Sequence, residues 1–319
     1  MYRIGIDLGG TNIAAGLVNE EYKIVSKLSV PTGADRGAEA IVADIAALCH
    51  KLCATNNIDM TDIEAIGIAS PGAIDSAAGE VKYANNLPFK NLPICAMVAE
   101  QTGIKDVRVE NDANAAAWGE AVAGAAKGAS SSVMITLGTG VGGGIVIDGK
   151  VYSGELGAGG ELGHVVIEYN GKRCSCGRRG CWEAYSSATG LINMTKEKLS
   201  ECESTGRKTI MTELVRQKGK VSGLTAFDAM RHGDEAGKEV VDMYLGYLAC
   251  GLANMVNIFQ PEVISIGGGV SNEGQSLVDA IVPLIRKEQY GGSLTPLTDI
   301  RIAKLGNDAG IIGAALLSI

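Results

Sequence analysis

Residues 2–32 read YRIGIDLGGTNIAAGLVNEEYKIVSKLSVPT, three short apolar runs (2–8, 13–18 and 23–30) parted by Gly-Gly-Thr-Asn and by Asn-Glu-Glu. Both separators have turn composition, so the stretch predicts a three-stranded meander. The same design begins again at residues 131–154, SSVMITLGTGVGGGIVIDGKVYSG: apolar strand, Gly/Thr-rich turn, apolar strand, polar turn, third strand. Repetition of a whole supersecondary unit sets the fold class as α/β, with two units that each open on a glycine-turn meander.

Working outward, GAEAIVADIAALCHKLCATNN carries apolar residues at helical spacing, and IEAIGIASPGAID returns to a strand ending in a Pro-Gly loop. DVRVENDANAAAWGEAVAG is a strand running directly into an alanine-rich helix. Residues 186–260 are mainly helical in pattern, EVISIGGGVS and DIRIAKLG give the last strands, and DAGIIGAALLSI closes the chain as a helix of small residues. No low-complexity linker separates the halves, which sets the domain boundary inside the helix around residues 115–122. The expected domains are 1–117, completed by a C-terminal helix at about 306–319, and 118–305.

A chain of 319 residues is long enough for two domains, and chains of that size bury roughly 75% of their unfolded surface, so no disulfide framework is needed. Cys49, Cys53, Cys95, Cys202 and Cys250 are scattered without paired spacing, and Met1 leads straight into a strand. The expectation is a reduced, cytoplasmic protein without a signal peptide. Apolar runs are broken by glycines short of the roughly 20 residues that span a bilayer. A net charge of −8 and a pI near 5.1 give no general attraction to phosphate backbones, which argues against nucleic acid as a partner. Neither a membrane nor a nucleic acid is expected to be a partner.

Three glycine-rich turns follow strands: Asp7-Leu8-Gly9-Gly10-Thr11-Asn12, Leu137-Gly138-Thr139-Gly140 and Gly267-Gly268-Gly269. Glycine lets a backbone approach a polyphosphate and aim its N–H groups at the oxygens. Each alone is weak, since a hairpin is most often only a hairpin and no Gly-Lys-Ser/Thr follows. Two matched turns plus a third can surround one nucleotide. Asp7 would repel phosphate unless a cation intervenes, which points to Mg²⁺ held through water.

DLGGT (7–11), LGTGVGGG (137–144), ELGH (161–164) and CSCGRRGCWE (174–183), in this order, resemble the ROK family of sugar kinases, open reading frames and repressors. The resemblance runs from residue 4 to the terminal GNDAGIIGAA and is strongest to the bacterial glucokinases of the family. It implies an actin/hexokinase-like ATPase fold with a C-terminal helix packed on the N-terminal domain. It further implies ATP-dependent phosphorylation of glucose and, commonly in the family, a homodimer or homotetramer.

His164, Cys174, Cys176 and Cys181 offer one imidazole and three thiolates, the makeup of a closed structural zinc site; the plain alternative is three free thiols in a loop. His50 and His232 lack such company. A metal fixing this loop also fixes Glu161 and Glu183, and carboxylates accept hydrogen bonds from sugar hydroxyls. The resemblance puts Glu161, His164 and Glu183 on the sugar, with Asn111, Asn86 and Gly72, and makes Asp112 the general base. By composition alone Glu183 is a solvated helix start, and Asp112 an N-cap in competition with Asn111 and Asn114. Kinases for N-acetylmannosamine, fructose or allose remain open. A sugar-sensing regulator is disfavoured, because the first strand begins where such regulators carry a helix-turn-helix.

Overall fold

A computed structural model of the protein describes residues 1–155 and 157–319. The chain opens with β1 (Tyr2–Leu8), β2 (Asn12–Val18), β3 (Ile24–Pro31), α1 (Ala38–Thr55) and β4 (Ile63–Ser70). Three short strands follow, β5 (Ala73–Asp75), β6 (Glu80–Tyr83) and β7 (Lys90–Leu92), then α2 (Ile94–Thr102), β8 (Val107–Asn111) and α3 (Asp112–Val122). The second meander is β9 (Ser132–Leu137), β10 (Val141–Ile147) and β11 (Lys150–Val151). Helices α4 (Glu183–Ser186), α5 (Ala188–Thr205), α6 (Ile210–Lys218), α7 (Thr225–Arg231) and α8 (Glu235–Phe259) come next. The chain closes with β12 (Val263–Gly267), α9 (Gln275–Glu288), β13 (Asp299–Ile302) and α10 (Ala309–Ala315).

Two five-stranded sheets take the orders β3-β2-β1-β4-β8 and β11-β10-β9-β12-β13, which match position for position. The duplicated design seen in the sequence is therefore a duplicated topology. The third strand of the second meander is shorter than expected. Asp148 and Gly149 both adopt positive φ, giving a two-residue hairpin turn that pairs Ile147 with Lys150, and pairing ends one residue later. The separate sheet β5-β6-β7 is absent from the sequence reading. Its strands are of three or four residues, too short to show a period of two.

The central strands show how alternation divides labour. Ile4 and Ile6 of β1, with Ile66 and Ile68 of β4, are fully buried in one core with Ile41, Ile45, Cys49 and Leu52 of α1. The opposite face carries Gly16, Gly5 and Gly67 side by side across β2, β1 and β4. A Cβ on Gly5 would strike the carbonyl of Ile311, one on Gly67 that of Ala314, and one on Gly16 the side chain of Ile311. The glycines make a groove into which α10 packs backbone to backbone. Gly313 presses in the same way on Ala115 of α3. Buried Glu120 accepts the N–H groups of Ala125, Lys304 and Leu305 at 2.6, 3.1 and 2.7 Å, fixing the segment that leads into α10.

Contacts divide the chain into two compact units: Met1–Met134 with Gly143–Gly160 and Ala303–Ile319, and Ile135–Gly142 with Glu161–Ile302. Helix α3, inside which the sequence reading sets a boundary, lies whole in the first unit, and so does α10. In the second unit Trp182 is fully buried and donates its indole N–H to the Tyr247 carbonyl at 3.1 Å. Gly251 of α8 makes room, since a Cβ there would enter the indole ring. Among the described residues no helix is long and apolar enough to cross a membrane.

Candidate active site

In the first unit, the sequence-predicted residues Asp7, Gly9, Gly10, Thr11 and Asn12 lie at the end of β1 and the turn into β2, Gly72 just after β4, Asn86 between β6 and β7, and Asn111 and Asp112 where β8 meets α3. The Gly9 N–H donates to the Asn12 carbonyl at 2.9 Å, and Thr32 closes the turn, its hydroxyl on the Gly9 carbonyl at 2.6 Å and its N–H on that of Thr11 at 2.9 Å. Gly10 packs on Asn86, whose Cβ stands 3.2 Å from where a Gly10 Cβ would lie. Gly72 has φ 108°, and a side chain there would collide with the Tyr83 carbonyl, so glycine is required on two counts. Its carbonyl accepts from Asn111 Nδ2 at 3.2 Å.

The competition for the α3 cap resolves in favour of Asn111. Its Oδ1 accepts the N–H groups of Ala113 at 3.0 Å and Asn114 at 3.3 Å. Asp112 accepts the Ala113 N–H at 2.8 Å and stays open to solvent. Solvent reaches it, but protein crowds around it, and that partial desolvation pushes its carboxyl above its ordinary value against the Ala113 N–H, which lowers it. Asp7 is raised too, by burial first and by the negative charge of Asp112 second, with Lys27 opposing. The charge of Asp112 that raises Asp7 is one that a cation placed beside Asp7 would offset.

In the second unit, Gly138, Thr139 and Gly140 form the turn between β9 and β10, closed by the Gly138 N–H on the Gly140 carbonyl at 3.0 Å. The start of α5 holds it: the Ala188 N–H donates to the Gly138 carbonyl at 2.8 Å and the Thr189 hydroxyl to that of Thr139 at 2.7 Å. In the third loop Gly267 is buried while Gly268 and Gly269 are exposed. Gly268 lies against Leu137, 2.6 Å from a virtual Cβ, so this loop and the 138–140 turn come together.

His164, Cys174, Cys176 and Cys181 also converge, their ligand atoms all within 4.8 Å of one another. Around a tetrahedral zinc ion with bonds of about 2.3 Å to sulfur and about 2.0 Å to nitrogen, sulfurs stand about 3.8 Å apart and sulfur about 3.5 Å from nitrogen. Here Cys176 and Cys181 Sγ are 3.7 Å apart, and Cys174 Sγ lies 3.6 Å from His164 Nδ1. Burial pushes the Cys181 thiol up to about 12 and raises Cys174, whereas the Arg178 N–H lowers Cys176. Such thiols become three thiolates together only when a cation neutralises them. The donor set and its spacing fit the ion. His50 and His232 are exposed, and their ring nitrogens bond the carbonyls of Gln101 and Asp228.

Glu183 joins the two parts of this unit. Its Oε2 accepts the Val141 N–H at 3.1 Å, at the foot of the glycine turn, and a side chain on Gly140 would run into the same oxygen. Its Oε1 accepts the Ser175 hydroxyl at 3.1 Å and the Cys174 thiol at 3.5 Å. Glu161 is exposed, and its carbonyl accepts the His164 N–H at 3.0 Å. Sequence reasoning missed Glu110, which is 6% exposed and accepts the Asn111 N–H at 2.8 Å, Asn114 Nδ2 at 3.0 Å and the Ser76 hydroxyl at 2.8 Å. A carboxylate in an apolar strand next to Asn-Asp was the available signal.

The glucokinase of Thermotoga maritima is 38% identical over 98% of this chain and 95% of its own length. That of Streptomyces coelicolor is 36% identical over 99% and 96%. A crystal structure of a ROK family glucokinase from Streptomyces griseus, in complex with glucose and AMPPNP, superimposes with a TM-score of 0.78 at 36% identity, covering 99% of this chain and 98% of that one. The fold is thus the actin/hexokinase-like ATPase fold. With the ROK family model matching residues 3–319, the chain belongs to the ROK family.

Proposed function

We propose that the protein transfers the γ-phosphoryl group of ATP to the C6 hydroxyl of glucose. The observation that carries the reading is the release of Asp112 from the cap: Asn111 satisfies the helix, and the carboxylate beside it is left exposed at the end of β8. Phosphoryl transfer is loose, so the hydroxyl proton leaves late and a weak base such as Asp112 suffices. Full-length similarity to glucokinases at 36–38% identity supports the substrate pair.

In this reading Asn86, Gly72 and Asn111 of the first unit, and Glu161, His164 and Glu183 of the second, hold the sugar hydroxyls. The turns Gly9–Asn12, Gly138–Gly140 and Gly267–Gly269 approach the nucleotide with backbone N–H groups. Mg²⁺, near Asp7, would neutralise charge on the phosphates. Zinc held by His164, Cys174, Cys176 and Cys181 would supply rigidity with no open coordination position. Nδ1 of His164 faces the sulfurs, which leaves Nε2 as the nitrogen for a sugar hydroxyl. Five cysteines outside any disulfide and three offered to a metal fit a reducing cytoplasm, and a dimer or tetramer is the assembly we expect.

A coupled assay of ADP release over glucose, N-acetylmannosamine, fructose and allose tests the reading. Glucose should give the highest kcat/KM; turnover of another hexose at a higher value overturns the choice of sugar.

A further inference from the structure

The glycine turn of the second unit and the sugar carboxylate Glu183 are directly bonded, and no separate role as donor loop or sugar ligand explains this. Oε2 of Glu183 sits on the Val141 N–H at 3.1 Å, close enough to Gly140 that a side chain there would have to push the carboxylate aside. An N–H at a glycine turn bonded to a carboxylate is an anion-receptive backbone already holding an internal anion. The same carboxylate faces a cavity of about 600 Å³, walled by Thr139, Gly140, Glu183, Lys172, Arg173 and Lys196. Glu197 on that wall is paired with Lys172 at 2.8 Å, whereas among the described residues no cation pairs with Glu183, its other oxygen resting on the Ser175 hydroxyl and the Cys174 thiol. A triphosphate brought to this turn meets an unneutralised negative charge.

We propose that Glu183 couples the two substrates: in the sugar-free protein its carboxylate occupies the glycine turn, and a sugar hydroxyl draws it off. The inference rests on the reading of Glu183 as a sugar ligand and of the 138–140 turn as a phosphate loop. Sugar hydroxyls donate to a carboxylate, so a bound hexose offers Oε2 a replacement for the Val141 N–H, and that N–H is then free for a phosphate oxygen. Nucleotide arriving first must displace the carboxylate; nucleotide arriving after sugar does not. Where zinc is bound, Cys174 has no proton to give, and Ser175 and Val141 alone anchor the carboxylate.

Titration calorimetry with AMPPNP and Mg²⁺, with and without saturating glucose, reads the coupling. The wild type should bind AMPPNP at least about fivefold more tightly in the presence of glucose, within the usual range for coupled sites. Glu183→Gln removes the charge and should tighten sugar-free AMPPNP binding by about threefold or more, with the glucose effect reduced to below about twofold. Ser175→Ala, which removes an exposed anchor and leaves the fold untouched, should shift both in the same direction by less. Sugar-free AMPPNP affinity that is unchanged or weaker in both variants overturns the proposal. If Glu183→Gln at the same time loses glucose affinity, the sugar reading survives that failure. A wild type that binds no AMPPNP under either condition overturns the donor reading and this proposal with it.

Discussion

Asn111 takes the helix cap, and everything expected of Asp112 follows from that. Asp112→Asn keeps the shape and the Ala113 N–H bond but cannot accept a proton, so kcat should fall at least ~100-fold with glucose affinity largely kept; a variant retaining a tenth of kcat would remove Asp112 as the base. The same substitution should stabilise the ligand-free protein. A carboxyl raised above its ordinary 3.8 is neutral in both folded and unfolded states at low pH. Its cost appears as pH climbs through that value and is complete above the folded pKa. Thermal unfolding should therefore show Asp112→Asn with a higher Tm at pH 7 and a gain that shrinks towards pH 4; an equal gain at both ends would mean that desolvation is not the cause. Composition alone pointed to capping at this spot and was right about the duty but could not say which of three neighbours performs it. That choice is made by Glu110, which holds the Asn111 N–H and the Asn114 amide and is itself tied to the distant Ser76 hydroxyl, a contact with no local periodic signal.

Among the elements, α10 and the Cys/His loop are held in opposite ways. Helix α10 depends on shape, the glycine groove across β2, β1 and β4. Gly67→Ala pushes a methyl into the Ala314 carbonyl, and overpacking of this kind costs about 1–3 kcal/mol; urea unfolding should show the loss, and an unchanged midpoint would mean that α10 can slide. The Cys/His loop rests instead on two anchors, buried Cys181 and Trp182, that lead directly into Glu183, and on the ligation we propose. Cys181→Ser should lose zinc and raise the KM for glucose at least ~10-fold with helical circular dichroism retained, because a carboxylate that drifts by an ångström no longer meets its hydroxyl. The strand runs and the metal spacing were legible because each is a short-range pattern. The groove was not: Ile-Gly-Ile reads as an ordinary strand until β1 and β4 are paired in register, and only then do the glycines line up.

For the molecule as a whole, the repeated order of two five-stranded sheets is what the sequence shows most openly, since a glycine-turn meander occurs twice in recognisable form. Metal analysis of the purified protein should give about one zinc per chain, and a metal-free, fully active protein would remove the structural role assigned to the cluster. The division into units was harder to read, because the first unit is built from three separate stretches, Met1–Met134, Gly143–Gly160 and Ala303–Ile319. During synthesis the ribosome releases β1 and β4 long before α10 exists, so the nascent sheet waits with its glycine groove bare while the whole second unit is made. Closure of the first unit is a late event on the ribosome, and a nascent chain arrested before residue 309 should carry an open groove that chaperones can bind.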